Sequence, residues 1–262
     1  MSRYLTPGRI ETRVPTPDSL RPWLTELTAT PTRHDITQPF AHPPVTSTTV
    51  VVRTESSGRS AAFVIGAQSK AAYSQAERPG GCVRLRLAPG TTGQLLGVSA
   101  AELTDRVVSL AELPGPLAAI TDSLTHLSTA EAIKHLGATL PQAVSESTTE
   151  RAHRMVLREA IAEVGAAPTV ADLATRLAIS ERQLRSLFAA GIGLSPKHFA
   201  RVDRVLRVLT AAGKTPWSDL AAATGYYDQS HLTADFRTLM GVPPAAYLRG
   251  ELPPPMRCRA PG

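Results

Sequence analysis

The apolar positions fall into short, strand-like runs in the first half of the chain and into helical stripes in the second. Thr48-Thr49-Val50-Val51-Val52-Arg53-Thr54 is rich in β-branched residues and stops at Ser57-Gly58; Ala61-Ala62-Phe63-Val64-Ile65-Gly66 follows, so a hairpin is expected. Gly81-Cys82-Val83-Arg84-Leu85-Arg86-Leu87 alternates apolar with basic residues, which predicts a strand with one buried face. Residues 92–97 and 99–104 read as short helices, and a helical period runs from Asp122 to Leu140, ending near Pro141. Proline is dense over residues 1–45 (Pro15, Pro17, Pro22, Pro31, Pro39, Pro43, Pro44) and blocks long helices, leaving loops, short strands and a turn of helix around Trp23-Leu24. The polar stretch 141–148 reads as a linker, and from Thr149 the pattern is almost entirely helical. The expected fold is α+β: a strand-containing N-terminal domain (1–140), the linker (141–148), an all-α domain (149–250) and a flexible tail (251–262).

Inside the helical region one local pattern occurs twice. Thr169 is placed to cap a helix, with Asp172 three residues on as in a capping box, and Val170, Leu173, Ala174 and Leu177 share a face. Ala178-Ile179-Ser180 is a tight turn, and Ser180 caps a second helix with Leu184, Leu187 and Phe188 inward, which makes a helix-turn-helix. The pattern returns 47 residues later: Trp217 to Thr224 is a first helix and Gly225-Tyr226-Tyr227 a turn. Asp228 then caps a helix that buries Leu232 and Phe236. Between the units, Pro196 suits the first helical position after a Ser195 cap. The helix it opens carries Phe199, Val202, Val205, Leu206 and Leu209 as its apolar stripe, with Arg201, Arg204 and Arg207 off it. About 17 residues of helix span roughly 25 Å, a spacer fit to hold two helices in successive major-groove segments roughly 34 Å apart.

Charge agrees with that picture. Of the net +6, a surplus of 4 falls in residues 147–250, which hold 13 Lys/Arg against 9 Asp/Glu. No apolar run of about 18 residues offers a spanning helix, and the N-terminus lacks the apolar stretch of a signal peptide, so a cytoplasmic protein without membrane contact is expected. Cys82 and Cys258 fit no metal spacing; a core thiol and a tail thiol are expected. His34 and His42 have no partner at ligand spacing, and Ser99, Ser109 and Ser123 lie in no nucleophile elbow. The turns at Gly80-Gly81 and Pro89-Gly90 lack the lysine of a phosphate loop, and Glu102 and Asp105 look like an exposed helix face. No enzyme, metal or cofactor is expected.

Residues 147–250 resemble the DNA-binding domain of the AraC/XylS family of bacterial regulators. The carrying residues are Leu173-Ala174, Ser180-x3-Leu184-x2-Leu187-Phe188, Gly191-x-x-Leu194-Ser195-Pro196, Ala222-x-x-Gly225-Tyr226, Asp228-Gln229-Ser230-His231-Leu232, Phe236 and Gly241-Val242-Pro243-Pro244-x-x-Tyr247-Leu248-Arg249. The resemblance implies that the outer face of each second helix reads bases: Arg182, Gln183, Arg185 and Ser186 in the first unit, Gln229, Ser230 and His231 in the second. Arg matches guanine O6/N7 and Gln matches adenine N6/N7. Phosphate contacts are expected from Arg201, Arg204, Thr169 and Trp217, although the Trp217 ring is itself expected to pack into the core, as are Tyr226 and Tyr247. A solvated helix face is the plainer reading of the arginines. Two departures stand out. Ala178 takes a turn position where glycine is usual, and Ala234 with Asp235 stands where a long basic side chain is usual, which predicts looser reading by the second unit.

The first 140 residues resemble an N-terminal domain found ahead of this unit in some actinobacterial-type regulators, through Arg84 to Val98 and Ala101 to Val108. A strand-rich sensor or dimerisation module is what that resemblance implies. The expected protein is a sequence-specific DNA-binding transcriptional regulator, with double-stranded DNA as partner. RNA polymerase, an unidentified small-molecule effector and a monomeric or homodimeric state are left open. The alternative is a ligand-binding or protein-interaction module with a degenerate DNA-binding domain.

Overall fold

The computed structural model describes residues 11–30, 39–55, 60–75, 80–122, 127, 129–213 and 215–257. Expectations about His34, Ser123 and Cys258 fall outside them.

The N-terminal region is built on strands β1 (Thr12–Val14), β2 (Leu24–Thr30), β3 (Phe40–His42), β4 (Thr49–Glu55), β5 (Ser60–Ile65), β6 (Ala72–Gln75), β7 (Gly80–Leu87) and β8 (Val107–Ser109). A six-stranded antiparallel sheet runs in the order β1-β2-β7-β4-β5-β8, with the expected hairpin as β4–β5. The alternation read in β7 sets its two faces. Leu85 and Leu87 are buried, whereas Arg84 and Arg86 on the other face pair with Glu11 and Glu26, both at 3.3 Å. Against the apolar face pack the helices α1 (Thr92–Leu96), α2 (Ala100–Leu103), α3 (Pro116–Asp122) and α4 (Thr129–Ala143).

Three local expectations differ. The turn of helix lies at Asp18–Leu20, and Leu24 already opens β2. Trp23 is buried over the end of that sheet, and its carbonyl accepts from Ala88 N–H, which ties the segment to β7 rather than to a helix. Pro141 lies inside α4 rather than at its end, because Ile133, Leu136, Leu140 and Val144 keep a buried stripe across it. The non-helical stretch is therefore only 144–147. Residues 251–257 are not a loose tail: Leu252 packs beside Tyr73, and β9 (Met256–Arg257) adds in parallel to β6, forming a second sheet of order β3-β6-β9.

The C-terminal region is helical: α5 (Thr148–Glu163), α6 (Val170–Arg176), α7 (Glu181–Gly191), α8 (Pro196–Ala211), α9 (Trp217–Ala223), α10 (Gln229–Met240) and α11 (Pro244–Arg249). One apolar cluster joins both helix-turn-helix units through the stripe of α8, where Val202, Val205 and Val208 are fully buried. No described helix is long and apolar enough to cross a membrane.

Candidate nucleic-acid interface

Each unit is closed by local chemistry that the sequence specifies. In the first, Thr169 Oγ1 accepts from Asp172 N–H, and Ser180 Oγ accepts from Gln183 N–H at the start of α7. These caps satisfy backbone donors that a helix start leaves open. In the second, the Asp228 carboxylate accepts from His231 N–H at the start of α10. The turns close alike: Ile179 N–H donates to Ala174 O at 3.0 Å, and Tyr226 N–H to Ala221 O at 2.9 Å. This closure needs a left-handed residue, supplied by Gly225 at φ 79° and by Ala178 at φ 52°.

The turns differ in length. Ser180 follows Ala178 by two residues and Asp228 follows Gly225 by three, and the additional residue is Tyr227, 94% exposed. An aromatic ring standing in solvent beside the start of α10 is a surface feature that sequence reading absorbed into the turn; the one-residue difference between the two turns is the signal that marks it.

The outward faces carry the expected readers. Arg182, Gln183, Arg185 and Ser186 are exposed on α7, between buried Leu184 and Phe188. Arg185 pairs one turn back with Glu181. Gln229, Ser230 and His231 are exposed at the start of α10, and Ala234 is exposed one turn further on. The His231 ring leans edge-on against the Tyr226 ring, with centroids 5.3 Å apart.

The phosphate candidates are placed differently from one another. Arg201 is turned into the protein, donating through Nε to Asp235 at 2.7 Å. Asp235 is 6% exposed, and its other oxygen accepts from Tyr226 Oη at 3.3 Å. Burial, with the Asp235 charge next in importance, pushes the Tyr226 phenol far above its ordinary range. Arg204 lies over the Tyr226 ring at 5.0 Å. Asp235 thus faces inward and fastens α10 to α8 through Arg201, with Arg204 at the same junction. Thr169 is exposed with its hydroxyl on Asp172, and Trp217 is half-buried against the helical core.

In the N-terminal region the face of the sheet is filled by Leu27, Val50, Val64 and Leu85. A cleft of about 420 Å³ opens to the surface between Pro22, Pro89 and the arginines Arg154 and Arg158 of α5. Arg154 is held by Glu146 at 2.7 and 2.8 Å, and these bonds keep the Glu146 carboxyl below the usual range. His42 donates or accepts at 2.9 Å with Ser74 Oγ; burial, aided by Arg84, lowers its pKa to about 4. No cluster of metal-ligating side chains occurs among the described residues.

Residues 173–250 match the family described as helix-turn-helix domain. A protein of Streptomyces antibioticus described as an AraC-like transcription regulator is 31% identical over 88 residues, 32% of this chain and 29% of that one. One of Streptomyces lividans with the same description is 33% identical over 82 residues, 30% of this chain and 27% of its own. The match thus spans less than a third of either relative. Residues 173–250 are a helix-turn-helix domain, similar in sequence to those of these AraC-like regulators. Among solved structures, ToxT from Vibrio cholerae overlaps 86% of this chain and 98% of its own at 8% identity, with a TM-score of 0.41. An AraC family regulator from Rhodopseudomonas palustris overlaps 39% of this chain and 99% of its own at 27% identity, with a TM-score of 0.32.

Proposed function

We propose that the protein is a sequence-specific DNA-binding transcriptional regulator that reads duplex DNA with the outer faces of α7 and α10. The observation that carries this reading is the repeated unit itself. Two capped helices, each entered through a turn closed by the same backbone bond, present polar side chains outward from one shared core. Arg182, Gln183 and Arg185 have the chemistry and the reach to pair with base edges in a major groove. Gln229 and Ser230 are the readers of the second unit, with Tyr227 beside them. His231 joins them, with its ring edge-on to Tyr226. Thr169 and Trp217, at the entrances of α6 and α9, are phosphate candidates together with Arg201 and Arg204, of which Arg201 is also paired with Asp235 and Arg204 also lies over the Tyr226 ring. With Asp235 buried, the reading as an interaction module keeps only Ala234 in its favour.

Selection of bound duplexes from a random pool by the full chain tests this. Enrichment of a motif in two parts, with centres about one helical turn apart, is expected. Failure to enrich any sequence, with the chain folded, would overturn it.

A further inference from the structure

The N-terminal region holds α7 and α10 by their far ends. At the end of α7, Gly90 N–H donates to Gly191 O at 3.0 Å, and Thr104 Oγ1 donates to Gly193 O at 2.8 Å. The fit is close on both glycines: a Cβ on Gly191 would lie 3.0 Å from Gly90 Cα, and one on Gly193 would lie 2.7 Å from Ala100 O. At the end of α10, Ala71 N–H donates to Leu239 O at 2.7 Å, and the buried Tyr73 Oη donates to Met240 O at 2.6 Å. Ala67, from the same segment as Ala71, is part of the helical core.

These two grips are riveted to each other within the N-terminal region. Asp105 follows the residue that holds α7, and its carboxylate accepts from Ser69 N–H and from Ser69 Oγ, both at 2.6 Å. Asp105 N–H donates to Ala67 O at 2.8 Å, and Gly66 N–H donates to Arg106 O at 3.1 Å. Gly66 sits so close to α2 that a Cβ would fall 1.8 Å from Leu103 O. Asp105 does this from a left-handed backbone, φ 57°, a conformation a non-glycine residue adopts at a cost. The sequence alone places Asp105 on a solvated helix face. Instead, the far end of one reading helix is linked to the far end of the other by a short path through Asp105 and Ser69, and the Ser69 carbonyl also meets His198 Nε2 of α8 at 3.0 Å.

We propose that Asp105 is a positioning residue, and that the N-terminal region is a brace fixing the separation of the two reading helices and hence the spacing of the two-part DNA site. The inference rests on the DNA-reading function, so its test includes a readout without DNA. In the full chain with Cys82→Ser and Cys258→Ser, spin labels at Ser186→Cys and Ala234→Cys report the distance between α7 and α10. A single narrow distribution is expected, broadened by Asp105→Ala and restored by Asp105→Asn, whose amide oxygen still accepts from Ser69. Tyr73→Phe, which removes one of the two bonds at the end of α10 without touching the turn, broadens it as well. On duplexes whose two half-sites are moved apart base pair by base pair, the full chain with Asp105 intact prefers one spacing by ten-fold or more. Asp105→Ala flattens that preference to within about three-fold and leaves affinity for a single half-site unchanged. An unbroadened distribution in Asp105→Ala and in Tyr73→Phe, or an unaltered spacing preference, overturns the brace. Broadening with no DNA bound at any spacing keeps the brace and overturns the DNA-reading function instead.

Discussion

Ala178 makes the bond of its turn from a left-handed conformation in which its methyl group crowds the following carbonyl, at about 1 kcal/mol. Gly225 does the same work without that cost. Ala178→Gly is therefore expected to raise the stability of the full chain by about 1 kcal/mol in chemical denaturation, since the side chain is exposed and gives up no packing. His42 is the other residue whose neighbourhood speaks through its charge. Its folded pKa, about 4, is below the unfolded value of 6.5, so the native state resists the proton that the unfolded chain accepts. The stabilisation is complete above pH 6.5 and is lost as pH falls toward 4, by about 3 kcal/mol over the whole window. His42→Gln, which keeps a partner for Ser74, should flatten this part of the pH–stability curve; an unchanged slope would assign it to other groups.

Among the elements, α8 carries the most consequence. Its apolar stripe welds the two units, and its basic face is used inward at the second one, through Arg201 on Asp235 and Arg204 on Tyr226. Asp235→Ala would leave the Arg201 charge facing a desolvated gap, and a loss of about 2–4 kcal/mol is expected in thermal or chemical unfolding. Asp235→Asn should lose less, because an acceptor remains. The helices, their caps and the two turns are legible in the sequence, because capping residues, prolines and glycines act over a few positions. The inward turn of Arg201, Arg204 and Asp235 is not. It depends on residues 34 apart meeting, and a charge beside an apolar stripe looks the same whether it faces solvent or a partner. The end of α4 and the pairing of β9 were missed for a related reason. Burial of Leu140 and Val144 outweighs the break that Pro141 signals, and a two-residue parallel strand leaves no periodicity to read.

At the scale of the whole molecule, the two regions share more than a linker. Ala67 enters the helical core, β9 returns to β6, and backbone bonds join both reading helices to the N-terminal region. The full chain is accordingly expected to unfold in a single cooperative transition, with calorimetric and van't Hoff enthalpies in agreement. Two resolved transitions would show the regions to be energetically separate. The same integration makes the full chain, rather than residues 147–262 alone, the right material for DNA binding.

DNA recognition by this protein stands on base reading by both α7 and α10. The most direct test is a random-duplex selection run in parallel on the full chain, on Arg185→Ala and on Gln229→Ala. Arg185→Ala should relax a position in one half of the motif and weaken specific binding by about 1–3 kcal/mol, and Gln229→Ala should relax a position in the other half. Identical motifs from all three proteins would contradict the assignment of these helices as readers.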